Sequence, residues 1–162
     1  MNFAEIIKHL DEDEAIITNL KNHGVDIFII KKIENALVRD MLVFVYTSYH
    51  KNVQDTVMIK VKHCSNKNQE IVRFVMSRIK KMDIKIDGLR NILETFNPKY
   101  AQKFKSQLNN KAENDLYSTI LTDRIKAAHE QGNNLQIASL SEIRNAHEQA
   151  QHVLEKFESC MW

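Results

Sequence analysis

Hydrophobic positions recur every three to four residues through most of this chain. Phe3, Ile6, Ile7 and Leu10 do so before an acidic run, and Ile16, Ile17 and Leu20 after it. That spacing predicts one or two amphipathic helices, stopped by Asn22-His23-Gly24. From Asp26 to about His63 there is neither Gly nor Pro. Ile29, Ile30, Ile33, Leu37, Met41, Phe44 and Val45 form a stripe there, and Tyr49, Val53, Val57 and Val61 carry it onward. Around Met41–Tyr46 the pattern is apolar on all sides, which predicts a central helix covered by its neighbours. The β-branched residues of Val57–Val61 leave a strand as the alternative for that end.

The second half repeats the helical period in shorter pieces. Cys64-Ser-Asn-Lys-Asn reads as a loop, followed by an amphipathic helix through Ile71, Phe74, Val75, Arg78, Ile79 and Met82. Gly88 to Phe96 is a short helix closed at Asn97-Pro98, because the residue before proline disfavours helical dihedrals. Tyr100, Phe104 and Leu108 mark another. After Asn109-Asn110, the segment ending Asp115–His129 places Leu116, Tyr117, Ile120, Leu121, Ile125 and Ala128 on one broad face. Gln131-Gly-Asn-Asn interrupts the pattern, and Ser139-Leu-Ser-Glu142 fits a capping box. Ile143, Ala146, Ala150, Val153, Leu154 and Phe157 then give the cleanest stripe in the chain, with Arg144, His147 and His152 on its sides.

Composition agrees with the pattern. Three Gly and one Pro in 162 residues are too few for the turns a sheet requires, so the expected class is all-α. The length suits one domain over residues 1–162. A net charge of +2, from 23 basic and 21 acidic residues, neither demands nor excludes nucleic acid. Cys64 and Cys160 match no metal spacing and read as reduced, partly buried thiols. Asp11–Glu14 interrupts any leader-like segment and reads as solvated surface. The runs Ile27–Ile30 and Met41–Tyr46 fall far short of the ~20 residues that span a bilayer. A soluble cytoplasmic protein without a membrane partner is the expectation.

Candidate chemistry converges on Arg124. Its guanidinium projects onto an apolar face, beside Ile120, Leu121 and Ala128, where it cannot shed its charge. It must meet a carboxylate, a subunit interface or a ligand. His129 follows five residues later, about 140° around a continuous helix, but can swing back if the helix ends near Ala128. An imidazole and a fixed guanidinium suit phosphodiester chemistry: one moves a proton at the 2′-hydroxyl or leaving oxygen, the other holds the phosphate. No metal or other cofactor is required. The competing reading has Arg124 paired with a buried acid and His129 capping a helix end. Elsewhere the signals are weaker. His147 and His152 have the wrong spacing for helical zinc ligands, and no phosphate-binding glycine loop occurs. Arg39 and His50, three turns apart, can share a face but not a contact, and His50 reads as a core or edge histidine. The Lys and Arg residues between 73 and 111 read as a solvated face, with a phosphate-binding surface as the alternative.

Arg124-Ile-Lys-Ala-Ala-His129 resembles the Arg-x(4–6)-His motif of the HEPN superfamily, many of whose members are RNases of toxin–antitoxin and phage-defence systems. The late helix, the polar break and the capped helix through Phe157 are similar to the same context; before Asp115 the resemblance is architectural only. It implies a HEPN-like helical bundle with additional short helices, working as a homodimer that unites two motifs in one cleft. It also implies metal-independent RNA cleavage to 2′,3′-cyclic phosphate and 5′-hydroxyl ends, with Arg124 on the phosphate and His129 as acid and base. Tyr117, Asp123 and Lys126 are the expected substrate-binding neighbours, and an antitoxin or defence-system protein the further partner. Two positions depart from the pattern: Ile125 stands where the family often has a polar residue, and Glu130 where it often has Gly. They favour the alternative, a non-catalytic HEPN-like module that binds RNA or a partner protein.

Overall fold

A computed structural model describes residues 3–65, 68–79, 83–129 and 135–162. Among these residues every regular element is an α-helix: α1 (Ala4–Asn22), α2 (Ile27–Cys64), α3 (Gln69–Ile79), α4 (Ile86–Phe96), α5 (Pro98–Gln107), α6 (Lys111–His129) and α7 (Leu140–Met161). Met82 and the Gln131-Gly-Asn-Asn break lie outside the described residues.

Local chemistry accounts for the boundaries. α1 is one helix, and beyond its His23 cap Gly24 turns the chain at a φ of 69°, a left-handed conformation that a Cβ would strain. The Asp26 carboxylate accepts from the Phe28 N–H and opens α2, which runs 38 residues without interruption through Val57–Val61. Asn68 caps α3 in the same way, accepting from the Glu70 and Ile71 N–H groups. Asn97 ends α4 in an extended conformation while its side chain accepts from the Lys99 N–H, so one residue closes a helix and opens the next, with Pro98 in the first turn. Ser139 Oγ accepts from the Glu142 N–H, and the Glu142 carboxylate reaches back to the Ala138 N–H, one residue before the partner of a standard capping box.

α2 is the axis of the fold, packed by α1, α3, α6 and α7, while α6 and α7 form the most extensive helix pair. One core cluster runs from Phe3 and Leu10 through Leu42, Val45 and Tyr49 to Phe104, Ile120, Val153 and Phe157. Each such aliphatic or aromatic side chain contributes about 1.5–3 kcal/mol on full burial. At the centre, Tyr49 hydroxyl and His147 Nδ1 share a hydrogen bond of 2.8 Å. Phe3 packs edge-on to both rings, and Tyr117 stacks on Tyr49 at 5.8 Å. Near the other end, Lys60 is buried with its ammonium 5.2 Å from the Tyr100 ring centre and 4.8 Å from that of Trp162. Cation–π attraction there offsets part of the cost of burying the charge.

Several expectations change. His147 is not on the side of its stripe but fully buried: four residues after Ile143 and three before Ala150, it belongs to the apolar face. The Asp11–Glu14 run is not wholly solvated. Arg144 donates to Asp11 at 2.6 Å and to both oxygens of Glu14 at 2.9 and 3.3 Å, tying α7 to α1 and raising the already high arginine pKa. α3 turns Val72 and Val75 to the core and leaves Ile71 and Phe74 exposed; among the described residues α2 is the helix that packs extensively against it. Cys64 is exposed and Cys160 buried, its thiol pushed up by desolvation. No helix among the described residues is long and apolar enough to cross a membrane.

Candidate functional site

Arg124 sits where α6 crosses α2. Its guanidinium carbon lies 4.3 Å from the centre of the Tyr46 ring, a cation–π contact, and the side chain is half-buried. Nε is shielded from solvent and has no hydrogen-bond partner, and no carboxylate pairs with Arg124 among the described residues. A ring face supplies about 0.5–2 kcal/mol to a cation and uses none of its five N–H donors. Burying a guanidinium costs several kcal/mol, so the contact offsets only part of that and leaves the edge of the group able to take an anion. Of the three partners that the sequence leaves open, a carboxylate is not found among the described residues, and an aromatic ring meets the guanidinium instead. Tyr46 carried no sequence signal for this, since it stands in the all-round apolar stretch.

Tyr46 in turn stacks with His50, ring centres 6.1 Å apart and planes 27° from parallel. Positions 39, 43, 46 and 50 fall on one stripe of α2, so Arg39, Val43, Tyr46 and His50 are successive along it. Tyr46 and His50 are half-buried, and Val43 is 37% exposed. His50 makes no hydrogen bond or ion pair with the described residues. It is therefore an edge histidine drawn into the Arg124 neighbourhood. Beside Arg124 on α6, Ile125 is 45% exposed and Ala128 faces out, so the buried apolar face of that helix ends at Leu121 instead of continuing to Ala128.

The other expected site residues divide. α6 continues through His129, one residue beyond the expected end; the His129 side chain, and Glu130 with it, lie outside what the structure describes. Tyr117 is fully buried and donates to the Ile84 carbonyl at 2.6 Å, and desolvation holds its pKa well above the usual tyrosine value. Asp123 is also fully buried. One of its oxygens accepts from the Gln136 and Ile137 N–H groups at 2.7 and 2.8 Å, and Lys126 Nζ is 3.3 Å from the other. These bonds fasten the part of the α6–α7 connection that leads into α7 to α6. Tyr117 and Asp123 thus spend their polar atoms inside the chain and present none to a phosphate, while Lys126 stays a quarter exposed. Their fixed place on α6 holds the helix on which Arg124 projects.

Among the described residues no group of His, Cys, Asp and Glu is arranged to hold a metal ion. Of the basic residues between 73 and 111, Arg90 pairs with Asp87 at 3.2 Å and Lys103 donates to the Ser159 carbonyl at 2.9 Å, so two serve local contacts. No family model, no curated protein and no solved structure matches the chain.

Proposed function

We propose that this protein is a HEPN-type, metal-independent endoribonuclease, acting as a cytoplasmic homodimer of the toxin–antitoxin or phage-defence kind. The observation that carries the reading is Arg124: a half-buried guanidinium held against a ring, with its Nε unpartnered and no carboxylate neutralising it among the described residues. Such a group is preorganised for a phosphate and for the charge that grows on it during transfer. His129, at the end of the same helix, supplies the proton-transfer group, and attack by the ribose 2′-hydroxyl leaves 2′,3′-cyclic phosphate and 5′-hydroxyl ends. Exposed Ile125, next to the arginine, and exposed Val43, one turn before Tyr46 on α2, suit a seam between two copies, across which the two motifs meet.

The test is RNA cleavage by the wild type, Arg124→Ala and His129→Ala, with folding checked by circular dichroism. Each substitution is expected to cost about 100-fold or more, on the usual scale of lost charge stabilisation or acid–base catalysis. The wild-type reaction is expected to persist in chelator. Equal activity in all three proteins sinks the proposal, as does a reaction that chelator abolishes.

The second reading is a non-catalytic HEPN-like module that binds RNA or a partner protein. The hydrophobic Ile125 directly after the arginine favours it. It predicts no cleavage, and a stable complex that survives His129→Ala.

A further inference from the structure

The row formed by Arg124, Tyr46 and His50 extends past the arginine in a way that phosphate binding alone does not use. We infer that Tyr46 and His50 form a nucleobase subsite beside the Arg124 phosphate site, and that its ligand is a single-stranded stretch of RNA. The inference rests on the proposed nuclease reading and adds what lies next to the phosphate.

Three observations lead there. First, the order is set by two contacts: the guanidinium is 4.3 Å from the Tyr46 ring centre, and the His50 ring is 6.1 Å from it at 27°. An anion site thus opens directly onto a stacked aromatic pair, the combination with which proteins take up unpaired nucleotides. Second, the pair is anchored on a long helix and stays partly exposed to solvent. Tyr46 packs against the core cluster, both residues lie on the long α2, and both remain half-buried. A base that stacks there displaces little ordered structure. Third, the imidazole has no internal task. His50 has neither a hydrogen bond nor an ion pair to the described residues, whereas His147, on α7, is bonded to Tyr49 and enclosed.

The choice of single-stranded RNA follows from access. In a duplex the base faces are covered by their neighbours and the deep groove admits no side chain, so a ring platform has nothing to stack on. An unpaired base offers a whole face, and stacking is tolerant of which base it is. The Arg124 edge then takes the adjoining phosphate, with Tyr46 between the two contacts.

The experiment is equilibrium binding, read by fluorescence anisotropy, of a labelled 2′-O-methyl oligonucleotide. It lacks the attacking hydroxyl and is therefore not cleaved. Wild type, His50→Ala and His50→Phe are compared on the single strand and on a duplex of the same sequence, with folding followed by circular dichroism. We expect His50→Ala to weaken single-strand binding by about tenfold or more, the scale of one lost base stack, and His50→Phe to remain within about twofold of wild type. The duplex is expected to bind more weakly and to be indifferent to both substitutions. The subsite is overturned if His50→Ala binds the single strand like wild type, if His50→Phe is as weak as His50→Ala, if the duplex binds as well as the single strand, or if the wild type binds neither. Failure here with cleavage still dependent on Arg124 removes the subsite and leaves the nuclease. Binding dependent on the His50 ring without any cleavage removes the nuclease and leaves the subsite.

Discussion

α2 carries two tyrosines that each meet a histidine, and the two pairs have opposite fates. Tyr49 meets His147 in the centre of the bundle, with both rings fully buried and a hydrogen bond of 2.8 Å between them. Tyr46 meets His50 at the surface, stacked and half-buried, with Arg124 against the tyrosine. Three residues separate the tyrosines, less than one turn, yet that rotation moves the second pair out from beneath α7. The inner pair is saturated by packing, and its His147 Nε2 has no partner among the described residues. The outer pair keeps its polar atoms for something else. The same division appears between neighbours on α6, where Asp123 is enclosed and engaged by backbone N–H groups while Arg124, among the described residues, meets a ring and no hydrogen-bond partner at Nε. Chemistry that acts on a ligand needs the second kind of group.

The comparison can be broken by substitution. His147→Ala should be the most damaging of these changes, at about 4 kcal/mol of unfolding free energy. It opens a cavity beneath Phe3 and leaves the Tyr49 hydroxyl buried without its partner. Chemical denaturation measures it, and a cost below about 1 kcal/mol contradicts the structural role given to the pair.

The acid response should be nearly as large. Burial lowers the His147 pKa from 6.5 to about 4, so between those values the unfolded chain takes up a proton that the folded chain refuses. Stability contributed by this group is therefore intact above pH 6.5, falls as the pH drops toward 4, and has lost about 3 kcal/mol by then. In His147→Gln this part of the pH dependence should vanish; an unchanged slope means that other groups govern it.

Asp123→Ala should cost about 2–3 kcal/mol, because it strands the Gln136 and Ile137 N–H groups. Hydrogen exchange at those two amides should accelerate first, and unaltered protection would show that another acceptor serves them. Smallest of all, His50→Ala should change unfolding free energy by less than about 0.5 kcal/mol, as expected for a partly exposed side chain that makes no hydrogen bond to the described residues. A loss similar to that of His147→Ala would erase the distinction between the two pairs.

The helices were largely legible in the sequence. Their period, the scarcity of Gly and Pro, and the Asn22-His23-Gly24, Asn97-Pro98 and Ser139–Glu142 signals are local, and local hydrogen bonding decides such boundaries. Arg124 was legible as an anomaly, because a charge on an apolar stripe always demands a partner. Its actual neighbour was not, since Tyr46 comes from a helix far away in the chain and a ring face leaves no charge pattern to read. His147 lies on the inner face that its spacing from Ile143 and Ala150 marks, although its polarity points to the side of the stripe. Tyr117 and Asp123 looked like neighbours of the motif because they are close in sequence. Helical rotation sends both inward, to Ile84 and to the α6–α7 connection.

The contact between Lys60 and Trp162 gives the molecule a built-in optical reporter. Trp162 is the sole indole in the chain, it meets the buried Lys60 ammonium from α2, and His63 lies edge-on 6.1 Å away. Its emission therefore follows the docking of the end of α7 on α2, while helical ellipticity follows the bundle as a whole. Recorded together during unfolding, the two signals separate release of that terminus from collapse of the core, without a label or an added residue.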